Sequence, residues 1–266
     1  MGFLRRLAGT ASKATGMTRT EIELKVTWFE GIRDDAVLQV VGEHFRQEML
    51  RTVRPPSPGE LPEGVPPPPS GYYKAILVPE PSNQYDRNAI AVNVWAGRAW
   101  NHVGYLSRDE AVDYRPLFTH LGRTGERPAV ACDAALVNER GEVGVVLHLG
   151  TPGECMAELI TDKRQPADHP WQGQQIVFSG QAQTLVTGVV VDRFAQIMYA
   201  RWAGCEVLPR ISKKAQLVVV ASPGEVTTAV SKAREYGVPT VPEVEFLKGI
   251  GLPEDAVGRE LLWTRG

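Results

Sequence analysis

Apolar and polar residues alternate in short runs through the first half of the chain. Ile22, Leu24, Val26 and Trp28 fall at every second position of Glu21 to Glu30, which predicts a strand or an extended lead-in. Val37 to Gly42 predicts a strand, and a second is expected to begin around His44-Phe45. Further strands are predicted over Tyr72 to Val78, Ala89 to Val94 and His102 to Leu106. Ser107 has the chemistry of an N-cap for a short helix through Asp109, Glu110, Ala111 and Tyr114, with Pro116 ending it. Val130 to Val137 and Gly144 to Leu149 predict two more strands, joined by a turn at Asn138-Glu139-Arg140-Gly141. Strands at this spacing with one short helix predict a closed or nearly closed, mainly-β barrel over residues 21–150. Residues 55–71 interrupt it, with Pro66 to Pro69 consecutive. Proline lacks the amide hydrogen that a ladder needs, so this stretch is read as an extended surface insertion that could dock on an aromatic groove of another protein.

The pattern changes after residue 150. Residues 151–170 carry Thr151-Pro152-Gly153 and Gln165-Pro166 and read as a linker. Gln175 to Gly180 predicts a strand ending in a small-residue turn, and Val190, Phe194, Ile197 and Arg201 follow at helical spacing. Cys205 to Leu208 predicts a short strand, and the β-branched run Gln216 to Ala221 a central one. Val226 to Tyr236 predicts a helix stopped by Gly237, Val238 to Val241 a strand, and Pro242 to Lys248 a last helix. The order β-α-β-β-α-β-α over residues 171–250 predicts an α/β domain with a small, largely parallel four-stranded sheet. Residues 1–20 and 251–266 are read as tails.

Composition narrows this picture. The 266 residues suit two ordinary domains, and 43% hydrophobic with 23% charged residues predicts ordered structure. The formal net charge of -2 means that DNA binding would rest on local basic patches. Residues 1–20 hold Arg5, Arg6, Lys13 and Arg19 without an acid and read as a disordered basic tail or an arm adding phosphate contacts. Cys132, Cys155 and Cys205 are far apart, which argues against a structural zinc site and suits a reducing, cytoplasmic compartment. No apolar run is long enough to span a bilayer, so no membrane association is expected.

Candidate chemistry concentrates in Val78 to Val92, where a turn-rich segment enters a strand, and in Val103-Gly104-Tyr105-Leu106-Ser107-Arg108. An aromatic, an acid and a base then lie on loops beside short strands, a layout that can hold a polar ligand at a barrel mouth. Asp86 and Asn88 can also simply cap the turn before the strand. The segments Gly42-Glu43-His44-Phe45-Arg46, Leu77-Val78-Pro79-Glu80-Pro81, Asn83-Gln84-Tyr85-Asp86-Arg87-Asn88-Ala89-Ile90 and Val103-Gly104-Tyr105-Leu106 resemble the HIRAN domain of DNA-repair helicases over roughly residues 35 to 149. The resemblance implies an OB-like barrel that accepts the 3′-hydroxyl end of single-stranded DNA. It implies that Phe45 stacks on a base, that Asp86 accepts a hydrogen bond from the terminal hydroxyl, that Tyr85 and Tyr105 line the pocket and that Arg108 contacts phosphate. His44 is a further candidate contact. A carboxylate repels phosphate, so Asp86 fits only where phosphate is missing, as at a free 3′-hydroxyl. Two positions depart from the family: Gln84 replaces the usual proline, and Phe45-Arg46 replace paired tyrosines.

Residues 171–250 resemble a bacterial-type BRCT domain, as in NAD-dependent DNA ligases and polymerase III epsilon-like exonucleases. The matching residues are Ile176 to Gly180, Arg193, Ala203 to Val207, Ile211 to Lys214, Leu217 to Val220, Ser231 to Arg234, Gly237 to Pro239 and Glu245 to Leu247. Cys205 replaces one of the usual paired glycines, and Phe246 a frequent tryptophan. The resemblance implies a site for proteins, phosphopeptides or DNA-end phosphate, with Ser179-Gly180 holding the phosphate. The expected lysine is displaced, since Lys232 comes about a turn late and Thr227 or Thr228 stands earlier. Arg210, Lys213 and Lys214 form the best local basic cluster, or a solvated turn.

Catalytic signatures are missing: there is no GxSxG, HExxH or Walker pattern, and His44, His102, His120, His148 and His169 are scattered. The expectation is therefore a non-catalytic accessory protein of DNA repair or replication, without cofactor and associated with the nucleoid. Its partners would be single-stranded 3′ DNA ends and a repair or replication protein. A scaffold that binds only proteins, or a regulatory subunit of an exonuclease or ligase, are the alternatives. The sequence leaves the oligomeric state open.

Overall fold

The alternation of the first half produces seven strands that hydrogen-bond into one curled sheet. They are β1 (Leu24–Trp28), β2 (Val37–Gln39), β3 (Tyr73–Pro79), β4 (Ile90–Trp95), β5 (Trp100–Tyr105), β6 (Arg127–Glu139) and β7 (Glu142–His148). Helix α1 (Gln47–Leu50) lies between β2 and β3, and α2 (Arg108–Leu121) between β5 and β6. The computed structural model describes residues 24–30, 37–124, 127–139, 141–181, 184–221, 224, 226–252 and 257–259. The basic tail expected over 1–20 lies outside the described residues. The chain divides into two compact units at residues 150 and 151.

In the first unit the antiparallel order is β2-β7-β6-β3-β4-β5, with β1 parallel to β6. Val130 and Ala131 of β6 pair with both β1 and β3, whereas Asp133 and Ala134 pair with both β3 and β7. Strands β1 and β7 therefore follow each other along one edge of β6. The sheet returns on itself just past β2, where Val41 and Tyr105 exchange two backbone hydrogen bonds of 2.8 and 3.0 Å. Space at this junction is minimal. A Cβ on Gly104 would lie 2.3 Å from the Val41 carbonyl oxygen and 2.7 Å from Val40 Cγ1.

Because side chains alternate across a strand, the two faces of the sheet separate cleanly. Ala75, Leu77, Val130, Cys132 and Ala134 share one face and are fully buried, as is Leu117 on α2. Val26, Ile76, Ala129 and Ala131 share the other with Trp95 and Trp100, whose rings meet edge-on at 5.4 Å. The proline-rich segment covers this second face rather than standing free in solvent. Leu61 and Val65 pack into the cluster, and Trp95 Nε1 donates to the Glu60 carbonyl at 2.9 Å. The segment is not extended throughout, since Pro58–Glu60 form a 3-10 turn and Gly64 has φ 73°. Its prolines lower the entropic cost of ordering it, and the aromatic groove it docks on belongs to its own unit.

Lys74 and Asp133 are paired neighbours on β3 and β6 on this covered face. They form a 2.7 Å ion pair with side chains 1% and 2% exposed, and Lys74 Nζ sits 5.9 Å from the Trp28 ring. Burial of either charge alone would be costly, so the pair ties the β3–β6 register to its two members. On the edge of β7, Gln47 imitates a peptide group: its Nε2 donates to the Val143 carbonyl and its Oε1 accepts from the Val143 amide, both at 2.8 Å.

Two local expectations are corrected here. His44-Phe45 does not start a strand. Gly42, at φ 85°, turns the chain into a 3-10 helix over Glu43–Arg46, which runs into α1. Helix α2 does not stop at Pro116. Ser107 and Glu110 form a capping box, and Ala111, Tyr114, Leu117 and Phe118 keep one buried face on both sides of the proline.

The second unit contains α3 (Pro152–Thr161), β8 (Gln175–Ser179), β9 (Thr184–Val186), β10 (Val189–Val190), α4 (Arg193–Trp202) and β11 (Glu206–Val207). It continues with β12 (Leu217–Val220), α5 (Thr228–Tyr236), β13 (Thr240–Pro242), α6 (Glu243–Gly249) and β14 (Val257–Arg259). Strands β11-β8-β12-β13 form the expected four-stranded sheet, parallel throughout. Val218 and Val219 are fully buried, as a central strand covered on both faces requires. Behind it, the buried Glu243 carboxylate accepts from Thr184 Oγ1 at 2.6 Å and from Gln196 Nε2.

Here too the tail and linker expectations need correction. Residues 152–161 are helical: Thr151 caps α3 in a box with Glu154, Pro152 sits in its first turn, and Cys155, Met156 and Ala157 are buried. Thr-Pro-Gly read as a breaker, but threonine followed by proline is also a helix start. Among residues 251–266, Leu252 is buried and β14 adds an antiparallel strand to β9, completing a second sheet with β10. The rest of that tail lies outside the described residues.

Gly104→Ala should cost about 1–3 kcal/mol, the range for overpacking a filled site. Urea unfolding monitored by tryptophan fluorescence checks this, and an unchanged midpoint would mean that the junction is looser than its 2.3 Å approach implies.

Candidate functional site

The turn between β3 and β4 is built by its own short polar side chains. Asn83 Oδ1 accepts from the amides of Tyr85 at 3.0 Å and Asp86 at 3.3 Å, and Asp86 Oδ1 accepts from the Asn88 amide at 2.8 Å. These are Asx turns, so Asp86 does cap the segment. Its second oxygen faces Arg108 instead. Oδ2 lies 3.7 Å from Arg108 Nε, in an ion pair whose arginine side chain is 80% exposed. Asn88 Oδ1 accepts from Arg115 Nη1 at 2.9 Å, so α2 holds the turn at a second point.

The Val41–Tyr105 junction brings the 3-10 helix beside β5. Phe45 on that helix is 78% exposed and its ring centre lies 3.8 Å from that of His44. Tyr85, on the turn, is 85% exposed. Such large exposed rings are unusual for a folded core and suit stacking.

Tyr105 and the turn are joined by Glu80. The Tyr105 hydroxyl donates to Glu80 Oε2 at 3.3 Å, and Asn83 Nδ2 donates to the same oxygen at 3.0 Å. Burial, then the Glu80 charge, raises the Tyr105 phenol above its ordinary range, while Arg46 opposes the shift. His102 meets Tyr105 edge-on at 4.8 Å. Burial, then the Arg46 charge, lowers its imidazole below the usual value, and its Nε2 is buried without a hydrogen-bond partner. Tyr105, Asp86 and Arg108 are therefore linked through Glu80 and Asn83, and the charge of Arg46 acts on Tyr105. Glu80 and His102 had no role assigned from sequence. Glu80 stands inside the quoted motif, but no local pattern announces a carboxylate that will meet a tyrosine 25 residues away.

A cleft of about 550 Å3 lies on the other side of the 3-10 helix, lined by residues that include Gln39, Glu43, His44 and Val143. None of Asp86, Tyr105 or Arg108 lines it.

This geometry lies largely within one recognisable stretch. Residues 71–133 match the HIRAN domain family. The HIRAN segment supplies β3, β4, β5, α2 and the first half of β6; Phe45, Arg46 and strands β1, β2 and β7 lie outside it. No curated protein matches the chain.

In the second unit, Ser179 is 6% exposed and its hydroxyl shares a 2.5 Å hydrogen bond with Thr227 Oγ1. Thr227 in turn caps α5 by accepting from the Val230 amide. Gly180 has φ 87°, and its carbonyl accepts from Arg193 Nη2 at 2.7 Å. Lys213 and Lys214 are exposed in the turn before β12, and Lys232 is exposed on α5. Among the described residues no helix is long and apolar enough to cross a membrane, and no group of three or more His, Cys, Asp or Glu is placed to hold a metal.

A histidine with a lowered pKa binds fewer protons folded than unfolded. The stability it contributes is present above the unfolded imidazole value and is lost as pH falls through the folded one. The groups acting on His102 are Arg46 and Glu80 with the Gly104 backbone. His102→Gln should therefore flatten the acid side of the stability profile; parallel slopes for both proteins in denaturant titrations between pH 5 and 8 would contradict this.

Proposed function

We propose that the protein is a non-catalytic DNA-binding accessory factor whose first unit captures unphosphorylated 3′ ends of single-stranded or frayed DNA. The observation that carries this reading is the second carboxylate oxygen of Asp86, paired at 3.7 Å with an exposed Arg108 in a unit that also exposes Phe45 and Tyr85. The HIRAN family is one of DNA-binding domains, which supports the reading. A carboxylate at the end of a phosphate path selects a terminus where a hydroxyl can donate to it. Arg108 and Arg46 supply the positive charge that the chain as a whole, at -2, lacks. Exposed rings stack on any base, so recognition depends on the end and not on the sequence.

For the second unit, the parallel four-stranded sheet with helices α4, α5 and α6 between and after its strands supports a BRCT-like reading. Its Ser179 hydroxyl is engaged by Thr227, which favours recruitment of a repair or replication protein over capture of a phosphate. Two modest sites on one chain gain avidity when both reach the same assembly.

Fluorescence anisotropy with single strands ending in 3′-hydroxyl or 3′-phosphate tests the first unit. The hydroxyl end should bind more tightly, and equal affinities would remove Asp86 from the role. Phe45→Ala should weaken binding by about 1–3 kcal/mol, the value of one stacked base. An unchanged affinity would assign stacking elsewhere.

A further inference from the structure

Glu80 places a second carboxylate behind the proposed end pocket, one that the turn does not require for its own backbone. The Asx turns of Asn83 and Asp86 satisfy the turn amides without it. Glu80 instead accepts from two other polar groups: the Tyr105 hydroxyl at 3.3 Å and the Asn83 side-chain amide at 3.0 Å, both on Oε2. Both of those donors are neutral, and neither neutralises the carboxylate. The cation that acts on the same tyrosine is Arg46, which also acts on His102. Tyr105 thus lies in the combined field of one carboxylate and one guanidinium.

We infer that Glu80 is a specificity-determining residue that sets the charge accepted at the strand terminus through Tyr105 and Asn83. The inference rests on the end-binding reading above and deepens it. Asp86 accepts the hydroxyl, and Glu80 adds a negative field at the same end of the site, against which a terminal phosphate is repelled. Arg46 acts in the opposite sense, attracting phosphate. Removing the Glu80 charge leaves Arg46 unopposed at Tyr105, so a phosphorylated terminus gains.

The test is the ratio of affinities for 3′-hydroxyl and 3′-phosphate strands, measured by anisotropy on the full chain. Glu80→Gln keeps the size of the side chain and an oxygen acceptor for both donors while removing the charge. The wild-type preference for hydroxyl should narrow by about three- to tenfold, the scale of one partly screened charge at close range. Glu80→Asp keeps the charge but withdraws it by one methylene; an intermediate ratio is expected, and this variant decides the matter if Glu80→Gln does not fold. A wild-type ratio in either folded variant overturns the role of Glu80 and leaves the end-binding reading standing. A wild-type protein without preference overturns the reading itself, and the inference with it.

Discussion

The pair of backbone hydrogen bonds between Val41 and Tyr105 is the constraint on which the first unit turns. It joins the two ends of a curled sheet, and it does so where only a glycine at position 104 leaves room for the opposing backbone. Everything proposed for the site depends on that approach. Without it, Phe45 and Arg46 would belong to a loose segment outside the HIRAN stretch. With it, they stand beside Tyr105, and Tyr105 reaches through Glu80 and Asn83 to the turn that carries Asp86. Closure of the sheet and assembly of the site are one event.

The polar groups of this unit fall into two kinds, separated by solvent. Lys74 and Asp133 are sealed inside the unit beside Trp28, where each is tolerable only because of the other. Asp86, Arg108 and Arg46 are at the surface, where charges can exchange partners cheaply. A sealed pair fixes strand register; an exposed pair can open toward a ligand. The proline-rich strap covers Trp95 and Trp100 on the face that also carries the sealed pair, while Phe45, Tyr85 and Arg108 stay exposed.

Local signals in the sequence read well where the structure obeys them. Alternation located β3, β4, β5 and β7 within two residues at each end and β1, β2 and β6 within three, and the β-branched run Leu217–Val220 marked the centre of the parallel sheet. The predicted parallel four-stranded sheet of the second unit is present, with the β9–β10 hairpin inserted after its first strand, and the HIRAN resemblance holds over 71–133. Contacts distant in sequence were not legible. Val103-Gly104-Tyr105 could be quoted as a motif, yet the reason for its glycine lies on Val40 and Val41. Prolines at 55–71 excluded a central strand but said nothing of Trp95 as a dock. The hairpin β9–β10 and strand β14 were missed: Val190 was read into the following helix and residues 251–266 as a tail, and strands of two or three residues carry too little period to correct such a reading. Asp86 was read as either a cap or a ligand group; with two oxygens it can serve as both.

Gln47 carries a consequence for the company this protein keeps. Its amide occupies both the donor and the acceptor that Val143 would otherwise offer along the border of β7. A foreign chain arriving there must first evict a side chain that already makes both bonds, so the border resists being copied into a longer ribbon. Such ribbons start when copies crowd together. A single glutamine thus guards that border where the backbone of β7 would otherwise be open.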